Sequence, residues 1–264
     1  MLYARKSKRM DCIICGRKGY EIIMQFYDMH SHILPEFDDG AKTSQIALEM
    51  LESLKAQGIT NVCLTPHFYT NEMSVEDFVA SREAAFKKFK PAIPNDFNIV
   101  LGAEVYVTRY LFNCDDLSAL AYGNSDYILS EFAYNSTFEK SSMDHIDKLV
   151  NVYRLIPVLP HVERYSALMD DPSIIRELRD IGVIIQSNIS NYTKKASVFK
   201  RRKLLKMIDS GLIDILGTDA HSFEHNNPKL FSDGIKYISD KCGERAVKNM
   251  MGKAQIIFNA ALSD

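Results

Sequence analysis

With 264 residues, 46% of them hydrophobic and 25% charged, the chain carries enough apolar material for one sizeable core and no compositional sign of disorder. Its formal net charge of −2 gives no overall electrostatic case for a nucleic-acid or membrane-surface partner, and no stretch approaches the roughly 18 apolar residues that span a bilayer. The cysteines, Cys12, Cys15, Cys63, Cys114 and Cys242, form an odd and scattered set, which argues against a disulfide framework and for a reducing, cytoplasmic location.

The basic start (Arg5, Lys6, Lys8, Arg9) is followed by no apolar core of a secretory signal. Cys12 and Cys15 make a lone CxxC with no second pair and no preceding βαβ pattern, so neither a zinc nor a redox reading has its context. Residues 1–24 are expected to be a poorly ordered extension, and 25–264 one domain. A first strand covers Phe26 to Met29. Thr43 to Gln57 reads as an amphipathic helix, with Ile46, Ala47, Met50, Leu51 and Leu54 at helical spacing, Thr43 or Ser44 as its cap and Gly58 at its stop. Asn61 to Thr65 is a buried strand, Ser74 caps a helix to Lys90, and Phe97 to Gly102 is the next strand. A looser, partly helical connection from Asp115 to Tyr122 leads to a strand from Tyr127 to Leu129.

Ser141 or Ser142 starts a helix to Tyr153, and Ile156 to Leu159 is extended. Pro172 and Gly182 bracket another helix. Val183 to Gln186 is a strand, Ser197 to Ser210 a basic amphipathic helix, Ile213 to Leu216 the last strand, and the tail from Pro228 is helical. Seven strands, each followed by a mainly helical segment, imply a parallel sheet, and the unbroken repeat favours a closed α/β barrel. An open doubly wound sheet would gather a site at one switch point. The site residues of this chain come from six of the seven strands, and that requires closure.

Those residues each follow an apolar run. His30 and His32, in DMHSHILPEFDDG, share one face of an extended segment because side chains alternate with a period of two. His67 follows VCLTP, Glu104 follows IVLGA, Glu131 follows YILS, His161 follows IPVLP, and Asp219 and His221 follow IDILGT. Any one of them alone would read as a cap or loop hydrogen bond; together at strand ends they read as a multinuclear metal site. Histidine and carboxylate without nearby cysteine suit divalent manganese, iron or zinc. Clustered ions favour hydrolysis of phosphate esters. Arg164, in PHVERY, offers a guanidinium fork to phosphate, with an ion pair to Glu163 as the structural alternative. His145, inside SSMDHIDKL, is read as structural, and His225 has no motif behind it.

With HSH, DDG, TPH, GAE, SE, PHVERY and TDAH in this order, the chain resembles the polymerase and histidinol phosphatase (PHP) superfamily, and within it the capsule and exopolysaccharide branch of manganese-dependent bacterial protein-tyrosine phosphatases. The resemblance covers Phe26 to Leu262. It implies a distorted (β/α)7 TIM-like barrel with two or three divalent ions, manganese before iron or zinc, at the C-terminal ends of the strands. By similarity the first ion takes His30, His32, Glu104 and Asp219; the second shares Glu104 and adds Glu131 and His161; the third takes Asp39, His67 and His221. Spacing leaves open which of Asp38 and Asp39 reaches a metal. Arg164 matches the phosphate-binding arginine and, with His32 and Asp219, is expected to carry catalysis, while Gln186 and Asn188 are expected to line the substrate pocket.

The implied substrate is phosphotyrosine on a protein, specifically a bacterial tyrosine kinase regulating capsular or exopolysaccharide synthesis, cleaved by a metal-activated water. The HCxxxxxR arrangement of thiol-based tyrosine phosphatases is absent. The chain departs from its relatives after TDAH, where Phe223 to His225 stand in place of a frequent asparagine and arginine. Rival readings are a small-molecule phosphatase of the histidinol-phosphatase type and a non-catalytic metal-containing binding module. Amidohydrolase chemistry fits less well, since no lysine takes the bridging position that Glu104 holds. Neither nucleic acid nor membrane insertion is expected, and an oligomer is compatible with the sequence.

Overall fold

The computed structural model describes residues 24–194 and 196–263. The expected N-terminal extension, apart from Met24, and its CxxC therefore lie outside the described residues. The chain order is β1 (Phe26–Asp28), α1 (Ser44–Lys55), β2 (Ile59–Leu64), β3 (His67–Phe68), α2 (Val75–Phe89), β4 (Asn98–Leu101), β5 (Glu104–Tyr106), β6 (Tyr127–Glu131), α3 (Lys140–Asp147), β7 (Ile156–Leu159), α4 (Ser166–Asp170), α5 (Pro172–Asp180), β8 (Ile184–Asn188), α6 (Val198–Asp209), β9 (Ile215–Gly217), α7 (Phe231–Cys242) and α8 (Glu244–Leu262).

Every strand ladder is parallel. The strands fall into two runs, β1-β2-β4 and β3-β5-β6-β7-β8-β9. The runs join because β2 and β3 are one strand interrupted at Thr65 and Pro66, and β4 and β5 are one strand interrupted at Gly102 and Ala103. Proline has no N–H to offer a ladder. Gly102 N donating to Leu64 O and Glu104 N donating to Pro66 O, both 2.9 Å, carry the pairing across the breaks. The seven expected strands are thus present, the second and third broken where they deliver His67 and Glu104. Met29 N to Leu216 O (3.3 Å), Asp219 N to His30 O (2.7 Å) and His32 N to Ala220 O (3.0 Å) bring the first strand to the last, so the sheet curls into a distorted barrel.

The helices follow local chemistry. Thr43 Oγ1 accepts the Ile46 N–H at 3.2 Å, capping α1, whose buried stripe is Ala47, Met50, Leu51 and Leu54. The connection ends at Gly58, whose φ of 83° lies in the left-handed region that a Cβ disfavours. Ser74 accepts Asp77 N in the same way for α2. The start of α3 differs from expectation: Glu139 precedes the first turn with no side-chain cap, and neither Ser141 nor Ser142 serves. Its last turn widens into a π-turn at Lys148–Val152. One continuous core fills the barrel and its helix shell, and the buried Tyr122 satisfies its hydroxyl on Met29 O at 2.8 Å. Among the described residues no helix is long and apolar enough to cross a membrane.

Candidate metal centre

All nine expected ligand residues converge at the C-terminal end of the strands. Four atoms form a first cage: His30 Nε2, His32 Nε2, Glu104 Oε2 and Asp219 Oδ1. The edges measured between them are 3.1 Å (His30 to His32), 3.2 Å (His30 to Glu104), 3.1 Å (His32 to Glu104), 3.5 Å (His30 to Asp219) and 3.4 Å (His32 to Asp219). Donors about 2.1 Å from a central ion in a tetrahedron stand about 3.4 Å apart. The cage is therefore the size of a first-row divalent cation.

A second group combines His32, Asp39, His67 and His221, with Asp39 Oδ1 at 3.6 Å from His67 Nε2 and 3.4 Å from His221 Nε2. A third brings together His67, Glu104 and Glu131. His161 joins from the other side, its Nε2 2.8 Å from Glu104 Oε1 and 3.4 Å from Glu131 Oε1. Glu104 occupies the middle, one oxygen toward His30, His32 and His67 and the other toward His161, as a carboxylate shared between two ions would be.

The decisive feature is what these atoms lack. Glu104 Oε2 is buried with three imidazole nitrogens at 3.1 to 3.2 Å and makes no hydrogen bond to any of them. Asp219 Oδ1 and His67 Nδ1 are likewise buried without a hydrogen-bond partner. Leaving such groups unpaired costs about 1–3 kcal/mol each, more when charged. A divalent cation satisfies acceptors of this kind together, so the donor set fits a metal centre.

The surrounding residues aim the donors. Asp38 Oδ2 lies 2.7 Å from His32 Nδ1 and also accepts from His67 N at 3.1 Å. It orients a candidate ligand, while Asp39 reaches the cluster itself. Gln186 Oε1 accepts from His161 N (2.7 Å) and lies 3.4 Å from His30 Nδ1. Asp219 Oδ2 accepts from Asn188 Nδ2 (2.7 Å), Arg164 Nη2 (2.7 Å) and Asn226 Nδ2 (2.8 Å), which turns Oδ1 into the cage. Gln186 and Asn188, expected at the pocket wall, are fully buried beneath the cluster. Two of the candidate ligands stand on strained backbone: His161 has φ 35° and Asp219 φ 53°. Left-handed conformations at non-glycine residues cost about 1–3 kcal/mol and persist where surrounding structure enforces them. Gly217 permits the close approach of β9 to His30, since a Cβ there would meet His30 Cβ at 2.6 Å.

The electrostatics are those of a cluster sharing protons. Burial lowers His30 and His32, but for His30 the carboxylates of Glu104 and Asp219, and for His32 that of Asp38, outweigh it and hold both above the usual histidine range. Against the opposing effect of burial, the His30 charge holds Glu104 and Asp219 well below the usual carboxylate range. Burial, then the Glu104 charge, pushes Glu131 up to about 8, while burial and the neighbouring His32 charge push His221 down to about 4. The raised His30 and His32 answer buried carboxylate charge of the kind a cation would balance.

Arg164 pairs with Asp219, not with its neighbour Glu163, which is buried and accepts from Ser187 Oγ, Asn188 N and Asn191 Nδ2. Its other arm, Nη1, donates to Tyr134 OH at 2.9 Å, and the guanidinium lies 5.5 Å from the Tyr134 ring centre. Tyr134 and Asn226 carry no sequence motif, and only the folded loops place them. Asp38 had a signal, a carboxylate six residues after His32. The His145 ring lies tilted against Phe112, ring centres 5.0 Å apart, away from the cluster. His225 is exposed with its ring 5.2 Å from His221.

The sequence model of the capsular polysaccharide synthesis, CpsB/CapC family matches residues 26–258. The chain belongs to this family. Similar CpsB/CapC proteins include the tyrosine-protein phosphatase CpsB of Streptococcus pneumoniae, 27% identical over 237 residues covering 84% of this chain and 93% of that protein. The tyrosine-protein phosphatase YwqE of Bacillus subtilis (strain 168) is 29% identical over 241 residues, covering 84% and 91%. Among solved structures, one reported for YwqE and CpsB, described as unique metal-dependent tyrosine phosphatases, superposes with a TM-score of 0.74 at 22% identity, covering 89% of this chain and 95% of that one. The Escherichia coli phosphotriesterase homology protein, solved with phosphate in its active site, gives a TM-score of 0.56 at 12% identity over 89% and 99%. These two superpositions establish the fold.

Proposed function

We propose that this CpsB/CapC protein is a metal-dependent protein-tyrosine phosphatase acting on a bacterial tyrosine kinase of capsular or exopolysaccharide synthesis, in the cytoplasm, with manganese as the resident ion. The observation that carries the reading is the set of buried, hydrogen-bond-free donors on Glu104, Asp219 and His67, with the Arg164 guanidinium 2.7 Å from Asp219. The tyrosine-protein phosphatase names of relatives that match over 84% of the chain supply the substrate class. Oxygen and imidazole donors without thiolate, with one carboxylate placed to bridge, favour manganese over a tetrahedral thiolate zinc site.

His30, His32, Glu104 and Asp219 would hold one ion, Glu104, Glu131 and His161 a second, and Asp39, His67 and His221 a third. Bound divalent ions supply Lewis acidity and lower the pKa of a coordinated water, giving a nucleophile at neutral pH. The protein's own residues do the positioning. Asp38 fixes the His32 ring, Gln186 the backbone at His161, and Asn188 and Asn226 the carboxylate of Asp219. Arg164 presents a planar, permanently charged fork beside the cluster for phosphoryl oxygens, and Tyr134 steadies its outer arm. Among the described residues no cysteine stands in the cluster, which Cys63, Cys114 and Cys242 do not join.

The rim is open. Asp39 is 67% and Tyr134 54% exposed, which suits a tyrosine presented on a protein better than a compact metabolite enclosed by a lid. Elemental analysis of purified protein, with turnover of a phosphotyrosine peptide and of small phosphate esters before and after chelation, tests the proposal. Metal-dependent preference for the peptide is expected. Bound metal without turnover would leave a binding module, and preference for a small ester would leave a metabolite phosphatase.

A further inference from the structure

The region from 194 to 206 contains seven of the chain's 32 lysines and arginines and no acidic residue, so the rest of the protein carries a net −9 against −2 for the whole. The overall balance hides this local concentration. Lys195 lies outside the described residues. Of the others, Arg201 is committed to the protein, donating to Thr193 O and lying 4.9 Å from the Tyr237 ring centre. Lys203 pairs with Asp170 at 2.8 Å, both groups exposed. Lys194, Lys200, Arg202 and Lys206 are all exposed.

Beside these cations stand Phe199, 79% exposed, and Val198, 50% exposed. They are the only adjacent pair among the exposed large hydrophobic side chains of the described residues. Single exposed apolar residues are ordinary on protein surfaces; here two adjacent ones stand among exposed cations. Phe199, Arg202, Lys203 and Lys206 recur at the spacings that place side chains on one side of a helix, so the apolar tip and the charges form a single outer edge of α6, which the exposed Asp209 closes at its far end. The inner edge, Leu204, Met207 and Ile208, is buried in the core and fixes the helix to the barrel.

We infer that this outer edge of α6 docks the protein on an anionic lipid surface. The cations alone would suit an acidic peptide, and the adjacent exposed Val198 and Phe199 add an apolar tip to them. An anionic membrane interface takes both, the cations at the headgroups and the ring at the acyl boundary. Because the core face holds α6 in place, the attachment is peripheral and involves no insertion of the helix. α6 follows β8, whose last residue, Asn188, donates to Asp219, so the helix starts at the end of the barrel that bears the metal cluster.

Each cation near an anionic surface strengthens partitioning by about fivefold. Sedimentation of the full-length protein with vesicles of phosphatidylcholine alone, and with phosphatidylglycerol added, reads this out. Binding to the anionic vesicles alone is expected, weakening as salt is raised. Arg202→Glu combined with Lys206→Glu should lower it by at least tenfold. Phe199→Ser should lower it several-fold at unchanged charge. Both variants should keep wild-type turnover of a small aryl phosphate, which separates lost docking from a lost fold and from any failure of the phosphatase reading. Absence of binding to anionic vesicles at low salt, or binding indifferent to these substitutions, would overturn the inference. A raised KM for an acidic phosphotyrosine peptide, with no vesicle binding by the wild type, would assign the edge to a protein partner instead.

Discussion

Two aspartates frame β9, both at most 5% exposed, and they could hardly be used more differently. Asp214, before the strand, has every acceptor engaged: Oδ1 takes Arg179 Nη2 at 3.0 Å and Lys253 Nζ at 2.8 Å, and Oδ2 takes Arg179 Nε at 3.2 Å and Ile185 N at 2.9 Å. Asp219, after the strand, has one oxygen held by three donors and the other by none, on backbone with φ 53°. A fully compensated buried charge ties α5, α8 and β8 together at the bottom of the barrel. A half-compensated one, held in place by force of its neighbours, is stored capacity for a ligand. In barrels of this kind the C-terminal face carries chemistry and the opposite face stability.

Substitutions at the two ends should separate rate from stability. The largest effect is expected at the cluster: Asp219→Asn, or chelation of the wild type, should reduce turnover by about 10³-fold or more, with metal content of the folded variant falling alongside. A folded Asp219→Asn protein that kept both its metal and its rate would make Asp219 a structural residue like Asp214. Arg164→Lys keeps the charge but loses the planar fork, and kcat/KM for a phosphotyrosine peptide should fall about 10²-fold with metal content unchanged.

At the other end, Asp214→Asn leaves Arg179 and Lys253 partly uncompensated and should cost about 2–3 kcal/mol in equilibrium unfolding, with kcat per folded molecule retained. If kcat fell as well, the two ends would be coupled.

Two smaller effects sharpen the picture of the cluster. His30 and His32 are held above the ordinary histidine range in the metal-free protein, and a metal requires the neutral rings. Protons and metal therefore compete: metal affinity should be full above those raised values and fall as pH drops through them. Calorimetric titrations in buffers of different ionisation heat should show proton release on binding. Tyr134→Phe, which removes only a hydroxyl steadying Arg164, should change KM by about fivefold or less with kcat nearly unchanged.

The strand pattern is legible because each strand is a short apolar run ended by turn chemistry, and all seven positions appear in the barrel. The extra breaks at Pro66 and Gly102 are not, since a proline or glycine inside an apolar run reads as its end and not as an interruption within one strand. The start of α3 eludes sequence reasoning for a related reason: two serines offer plausible caps, and the chain starts the helix slightly earlier without either. Asp38 and Asp39 show what spacing cannot separate. Adjacent residues point apart, and only the folded loop shows that Asp38 turns back to His32 while Asp39 faces His67 and His221.

By itself the sequence determined the donor types, their places after apolar strands and the parallel order that puts strand ends on one face, because these depend on local periodicity and connection rules. Tertiary structure alone decided which donor atoms meet within 3.5 Å, that Asn226 and Tyr134 take part, and that Glu104 stands between two groups of histidines. Those outcomes depend on barrel closure and on left-handed turns at His161 and Asp219, which long-range packing imposes against local preference.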